Sequence, residues 1–270
     1  MSTYAISDQE FAQFQRFIFE VAGISLSSAK KALVSGRLAK RLQHCQLADY
    51  GAYFRLVAGG NAPDERQIAV DLLTTNETYF FREPKHFEVL RAAALAAKEA
   101  RRPGPFRVWS AASSSGEEAY SIAMVLADCL GDAAWEVVGS DISTRVLASA
   151  RKGHYPQERT SHIPAPYLKR YCLKGIDIQH GTVLVERALR QRVKFHQVNL
   201  NTALPELGSF DIVFLRNVMI YFNGDTKRQV VARVLGALKP GGTFMVGHSE
   251  SLSDITDAVR MVAPSVYRKP

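Results

Sequence analysis

Phe11, Phe14, Ile18 and Val21 recur at helical spacing and place an apolar stripe on one face of the segment 7–22. Ser7 followed three residues later by Glu10 is a capping-box start, and Gly23 is a natural stop. A second helix is predicted from about Ser27 to Cys45 with Leu33, Leu38 and Leu42 facing inward, followed by two more over 49–59 and 63–75. Residues 1–75 therefore read as a small all-helical domain. The rhythm then breaks. In Leu72–Phe87 (LLTTNETYFFREPKHF), Asn76, Thr78 and Arg82 alternate with Tyr79, Phe80 and Phe81 in a pattern that suits neither helix nor strand. Polar groups among aromatics at a junction suit a site lining, and equally a linker packed on a core. Pro84 opens a further helix, Lys85–Ala100.

After the breaker cluster Arg101–Pro105 the text changes to strands and helices in alternation. Phe106–Trp109 is a short buried strand, residues 110–116 are all small, and Ala119, Ile122, Ala123, Leu126 and Ala127 mark a helix face. A second strand, Trp135–Gly139, ends in Ser140-Asp141, and 143–152 is a short helix. The stretch 153–197 is different, with Pro156, Pro164, Pro166, Gly175 and Gly181 around a helix at Tyr167–Leu173 and strands at Thr182–Val185 and Arg192–Phe195. It reads as a small β-subdomain inserted at about 154–192, whose edge strand suits a peptide added as a further strand. The core pattern resumes at Val193–Val198 and Asn199-Leu200. Phe210–Leu215 is apolar enough to be buried on both faces and ends in Arg216-Asn217. A helix over Asp225–Leu238 stops at the turn Lys239-Pro240-Gly241-Gly242, before strands at Thr243–Gly247 and Ser265–Arg268. Residues 76–270 thus predict an α/β domain with a doubly wound, mostly parallel sheet.

Composition changes this picture in few places. A chain of 270 residues holds one large domain with a small companion. No apolar run approaches a membrane span, and acids and aromatics stand near the N-terminus where a signal peptide has a basic start and an apolar stretch, so an intracellular soluble protein is expected. Cys45, Cys129 and Cys172 form no C-x-x-C and the seven histidines no H-E-x-x-H, so no metal is expected. The 34 basic residues exceed the 26 acidic ones, for a net charge of +8, which favours acidic partners without naming them. Lys30, Lys31, Arg37, Lys40 and Arg41 crowd the second helix with no acid between them. That is a solvated face in the plain reading, and a seat for an acidic helix in the sharper one.

Candidate chemistry concentrates in 105–143. Strand, small-residue turn, helix and a strand ending in an acid is the order of a mononucleotide-binding βαβ unit. Main-chain N–H groups at such a turn meet anionic groups, and Asp141 can accept hydrogen bonds from a ribose diol. Only Gly116 remains of a Gly-rich fingerprint, so an ordinary βα connection also fits this stretch. Gly247-His248-Ser249-Glu250-Ser251 ends in Ser where a nucleophile elbow needs Gly, so a serine hydrolase is poorly supported.

Taken together, TTNETYFFRE, VWSAASSSGEEAYSIAM, SDIS, VNL, FLRNVMIYF and LKPGGTFMVGHSES resemble the segments of chemotaxis receptor methyltransferases, the CheR family, within the class I S-adenosylmethionine (SAM)-dependent methyltransferases. The likeness spans Thr74–Ser251 and extends to the helical domain; LKPGG is widespread among methyltransferases, whereas NETYFFRE with RNVMIYF is far more specific. It implies methyl transfer from SAM to glutamate side chains on the cytoplasmic helical bundle of chemoreceptors. It also implies SAM contacts from Asn76, Thr78, Arg82, Glu118, Asp141, Asn199, Leu200, Arg216 and Asn217, with Asp141 on the ribose and Leu200 by the adenine. Arg82 and Tyr221 are implied nearest the transferred methyl, and Glu118 is favoured over its neighbour Glu117. The basic helix would meet the acidic receptor surface, and the β-subdomain a receptor C-terminal peptide, in the cytoplasm beside membrane receptor arrays. Neither membrane insertion nor nucleic acid is expected. Two other classes remain: a SAM-binding scaffold or sensor without turnover, and a methyltransferase for another acceptor such as RNA, although no aromatic-rich basic stripe for stacking bases is present.

Overall fold

The computed structural model describes residues 5–270. Helices α1 (Asp8–Ala22), α2 (Lys31–His44), α3 (Tyr50–Ala58) and α4 (Pro63–Leu73) form the N-terminal unit. The capping box is made: Ser7 Oγ accepts the Glu10 N–H while the Glu10 carboxylate accepts the Ser7 N–H at 2.8 Å. Gly23 closes α1 in the left-handed conformation at φ +72°. Phe14, Ile18, Val34, Leu38, Leu42, Tyr53 and Val57 are fully buried and give this unit its own core. Leu33, expected inside, is 38 % exposed. The stripe of α2 runs 34–38–42 in steps of four, so Val34 takes the inward place and Leu33 rotates out.

Helix α5 (Lys85–Glu99) leads into the second domain, whose large sheet contains β1 (Phe106–Ser110), β2 (Trp135–Asp141), β6 (Val193–Gln197), β7 (Phe210–Leu215), β8 (Leu238–Val246), β9 (Arg260–Ala263) and β10 (Val266–Arg268). Its order is β6-β2-β1-β7-β8-β10-β9, parallel from β6 through β8, with β10 antiparallel to both its neighbours. One face is covered by α5 and α6 (Glu117–Leu130), and α10 (Gly224–Gly236) packs against the other. Helix α7 (Thr144–Lys152) follows β2 and contacts β2 and β6. This is the doubly wound, mostly parallel sheet expected from the sequence, preceded by an all-helical domain.

Three boundaries differ from the expectation. Arg192–Phe195 is not ribbon: β6 is an edge strand of the large sheet, paired in parallel with β2. The inserted sheet instead uses β3 (His154–Pro156), β4 (Cys172–Lys174) and β5 (Thr182–Val185) in the order β3-β5-β4, flanked by α8 (Ala165–Tyr171) and the single turn α9 (Arg187–Arg190). The Lys239–Gly242 turn lies inside β8, where the register slips between Phe210↔Leu238 and Ile212↔Thr243. Glycines allow the extra residues to bulge, and the freed Gly241 N–H is taken by the Lys269 carbonyl at 3.0 Å.

Gly116, at the N-cap of α6, has φ +97°, and a Cβ there would lie 2.9 Å from Ala150 Cβ and 3.0 Å from Tyr155 Oη. Both backbone and space demand glycine. Gly116→Ala should therefore destabilise by about 1–3 kcal/mol, read as a lower urea midpoint at unchanged m-value.

The helical domain is tied to the C-terminal edge of the sheet. Ile24 bridges Phe222, and the Ser25 N–H donates to the Tyr221 carbonyl at 2.8 Å. Asp71, buried at the end of α4, accepts from the Thr144 and Arg145 N–H groups at 3.0 and 3.1 Å and from Thr144 Oγ1 at 2.8 Å, capping α7 across the domain boundary.

Candidate active site

A cavity of about 890 Å³, mouth included, opens at the C-terminal ends of β1, β2, β6 and β7, roofed by residues 74–78, Arg82 and the end of α1. Open α/β sheets bind ligands at this edge. Asn76, Thr78, Arg82, Glu118, Asp141, Asn199, Leu200, Arg216, Asn217 and Tyr221 all line it. Residues from six separate stretches of the chain thus meet in one place.

The floor is the β1–α6 turn, where Ala111, Ala112 and Ser114 leave room. Ser114 sits at φ +48° and donates its N–H to Asp141 Oδ2 at 3.0 Å, while the Ser143 N–H donates to Oδ1 at 2.9 Å. Each carboxylate oxygen is thereby fixed and keeps acceptor capacity toward the cavity. Burial pushes the Asp141 carboxyl up to about 6 against the pull of these N–H groups. Ile142, Val198 and Leu200 add an apolar wall beside it.

Deeper in, Arg216 is 1 % exposed; it donates to Glu118 Oε2 at 2.6 Å and to the Arg82 carbonyl at 2.5 Å, and its Nη2 lies 2.9 Å from Glu83 Oε2. Glu118 also accepts Ser110 Oγ at 2.7 Å. The choice between adjacent glutamates is decided by helix direction. Glu117 lies fully buried away from the cavity, pairing with Arg159 and accepting Ser115 Oγ at 2.7 Å, whereas Glu118 faces in. Asn199 lines the wall but spends its amide on structure, donating to the Val21 carbonyl at 2.7 Å and accepting from the Asn201 N–H.

At the mouth, the Arg82 guanidinium stands 5.6 Å from the Tyr79 ring centroid and, like Tyr221, is partly exposed. Tyr221 ends a single 3-10 turn, Met219–Tyr221, after β7.

Two site-shaping acids escaped the sequence reading. Glu250 accepts the N–H groups of Asn217 and Gly247 at 2.7 Å each and of Met219 at 2.8 Å, holding Asn217 at φ +56°. Glu83 follows Arg82 and joins Arg216 to His86 and His248. Their only signal was an acid next to residues already of interest. His86 is buried and its imidazole is pushed down to about 4, by desolvation first and by the Arg216 charge second, so the ring is neutral.

The basic face of α2 is partly consumed within the fold. Lys31 pairs with Asp8 at 2.7 Å, Arg41 with Glu65 at 2.5 Å, and Arg37 donates to the carbonyls of Leu72 and Thr74. Lys30 and Lys40 have no ion pair among the described residues.

The donor set fits SAM. The cavity combines a buried carboxylate, an apolar wall and an Arg–Glu pair, donors and acceptors suited to the ribose hydroxyls, the adenine and the charged methionine end of SAM. The family description "CheR methyltransferase, SAM binding domain" matches residues 76–267, and "CheR methyltransferase, all-alpha domain" matches 9–74. Chemotaxis protein methyltransferase 2 of Pseudomonas aeruginosa is 42 % identical over 262 residues, 96 % of this chain and 92 % of that protein. The chemotaxis protein methyltransferase of Escherichia coli is 41 % identical over 268 residues, 97 % of this chain and 91 % of that protein. Chemotaxis protein methyltransferase 1 of Vibrio cholerae is 36 % identical over 267 residues, with 97 % and 96 % covered.

Proposed function

The chain belongs to the CheR methyltransferase family, SAM-dependent enzymes of chemotaxis, and from that premise we propose that it methylates glutamate side chains of chemoreceptors. One observation carries the choice of acceptor. Among the described residues, the cavity lining includes Arg82, Arg216 and Tyr221 and no His, Lys or Cys, and its inward carboxylates are engaged, Glu118 by Arg216 and Asp141 by the Ser114 and Ser143 N–H groups. A glutamate carboxylate has an ordinary pKa near ~4.3 and is already an anion at neutral pH, so it needs no base. Bound SAM supplies an electrophilic methyl on a sulfonium. The chain's own work is then to bind, orient and dry the acceptor. Arg82 and Tyr221, at the mouth, are placed to hold the two oxygens of an incoming carboxylate by charge and hydrogen bond. Arg82 is a positioning cation: a grip equally tight in ground and transition states would add nothing to the rate. Asn76, Thr78, Glu118, Asp141, Asn199, Leu200, Arg216 and Asn217 are assigned to SAM, together with Arg82, which would serve both cofactor and acceptor.

An acidic receptor helix would approach along α2, where Lys30 and Lys40 have no ion pair among the described residues and Arg37 lies near the cavity roof. In the inserted sheet β4 is an edge strand, and Leu173, Ile176 and Ile178 beside it are exposed, which suits a receptor C-terminal peptide added as a strand. Action on receptor cytoplasmic domains places the protein in the cytoplasm at receptor arrays. No helix of the described residues is long and apolar enough to cross a membrane.

Transfer of labelled methyl from SAM to a chemoreceptor cytoplasmic fragment should give base-labile label on glutamates, reduced at least ~100-fold in Arg82→Ala even at saturating SAM. Absence of label despite tight SAM binding would remove receptor glutamate as the acceptor. SAM affinity should also report Asp141. Binding prefers the ionised carboxylate, so the Kd should be flat above pH 7 and rise by up to about tenfold per pH unit below about 6, where the buried Asp141 carboxyl takes up its proton. A titration calorimetry series from pH 5 to 8 checks the sign.

A further inference from the structure

Thr74–Pro84, between α4 and α5, forms neither helix nor strand, yet Thr74 to Thr78 roof the SAM cavity. A segment without a ladder has to find other partners for its main-chain carbonyls. Here side chains from separate parts of the chain supply them. Arg37 of α2 donates to the Thr74 carbonyl at 2.9 Å, Ser114 Oγ of the cavity floor to the Asn76 carbonyl at 3.0 Å, and Arg82 to the Glu77 carbonyl at 3.4 Å. The fourth staple comes from the inserted subdomain. Arg159, on the 3-10 turn Gln157–Thr160, donates from Nη2 to the Thr78 carbonyl at 3.3 Å. The same nitrogen donates to Ser115 Oγ at 3.3 Å and pairs with the Glu117 carboxylate. Ser115 Oγ in turn donates to Glu117 Oε2 at 2.7 Å. Glu117 is fully buried at the first position of α6, so Arg159 is anchored on a group that cannot swing away. Tyr155 of β3 clamps the same turn, donating from Oη to the Ser115 carbonyl at 2.8 Å, and its ring stands edge-on to Phe80 with centroids 5.0 Å apart. The inserted subdomain thus grips both roof and floor of a cavity to whose lining it contributes no described residue.

We propose that Arg159 is a positioning residue of the SAM site: anchored on Glu117 and Ser115, it holds the Thr78 carbonyl and so fixes the roof over the bound cofactor. This gives the inserted subdomain a part in cofactor binding separate from peptide docking at β4, whichever acceptor is methylated. Asn76, Thr78 and Arg82 all face the cavity from this one irregular segment. Held at Thr78, the segment presents them together, and less ordering has to be paid for when SAM binds. Without Arg159, the nearest remaining staple is the long bond from Arg82 to the Glu77 carbonyl, made by a side chain that the acceptor also needs. A purely structural role for Arg159 would be to neutralise Glu117. Burial raises the Glu117 carboxyl, while the Ser115 hydroxyl and the Arg159 charge pull it back. Removing the charge of Glu117 therefore separates the two roles.

The test uses the full chain. Arg159→Met should weaken SAM at least ~10-fold by calorimetric titration, the loss of one charged hydrogen bond. Without SAM, peptides covering 74–82 should exchange amide hydrogens at least ~10-fold faster than in wild type, while β1 and β7 keep their wild-type rates; bound SAM should slow the roof again. Glu117→Gln alone keeps an acceptor oxygen for Arg159 and should bind SAM within about twofold of wild type. The double variant Arg159→Met with Glu117→Gln leaves no buried carboxylate unpaired here, and should show the same lost affinity and the same fast roof as Arg159→Met. Recovery of wild-type SAM affinity in the double variant would overturn the assignment, because Arg159 would then do no more than neutralise Glu117. So would an unchanged roof exchange rate in Arg159→Met. Faster exchange in β1 and β7 of the double variant would overturn it as well, since Arg159 would then hold the whole fold and not the roof.

Discussion

Arg216→Met should lower the thermal midpoint by about 10 °C and abolish measurable SAM binding. The guanidinium is buried between two carboxylates, 2.6 Å from Glu118 Oε2 and 2.9 Å from Glu83 Oε2. Removing one partner of a buried ion network costs about 3–5 kcal/mol because it leaves charge uncompensated, and in a chain of this size each kcal/mol moves the midpoint by about 2–4 °C. The same side chain donates to the Arg82 carbonyl, so its loss also frees the segment that carries the positioning cation. The deficit has a definite pH dependence. Burial alone would raise the Glu83 carboxyl, but the Arg216 guanidinium beside it, with the His248 N–H, holds it below the ordinary carboxylate value. That depression contributes stability present above the unfolded carboxylate pKa of about 4.3, and lost as pH falls through the lower folded value. The gap between wild type and variant should therefore narrow in acid. Scanning calorimetry at pH 7.5 and pH 4 measures both. A midpoint within about 1 °C of wild type at pH 7.5 would show that the network is not holding the site together.

Asp141→Ala should weaken SAM by about 100- to 10,000-fold. A ribose diol would donate two hydrogen bonds to an ionised acceptor, each worth about 1.5–3 kcal/mol when the acceptor is charged. The carboxylate is already oriented by the Ser114 and Ser143 N–H groups, so it needs no rearrangement on binding. Asp141→Asn keeps one acceptor and should fall between the two, and the acid weakening of SAM seen in wild type should disappear in both variants. Persistence of that pH dependence in Asp141→Asn would assign it to another group.

Much of the architecture was legible in the chain because it rests on local periodicity. Phe210–Leu215 read as a strand buried on both faces, and every residue of it is buried. Ser7 and Glu10 announced the first helix cap, and the small residues after Trp109 announced a turn open to a ligand. Errors came where periodicity is short or interrupted. Leu33 and Val34 are adjacent apolar residues, and the four-residue step from Leu42 through Leu38 reaches Val34, not Leu33. His154–Pro156 and Cys172–Lys174 are too short to show alternation, and their strand character comes from pairing with β5.

The sequence by itself determined which residue types stand at strand ends and turns, and with them the family, the SAM chemistry and the set of side chains that line one cavity. Only the tertiary structure decided their relations. It turned Glu118 into the cavity and Glu117 onto Arg159, and it used Arg37 and Arg41 within the fold. It also brought Glu250 under Asn217, and His248 beside Glu83 and His86. The physical reason is range. Helix and strand signals repeat within a few residues, whereas an ion pair depends on where distant segments are packed. No single stretch of chain encodes that distance.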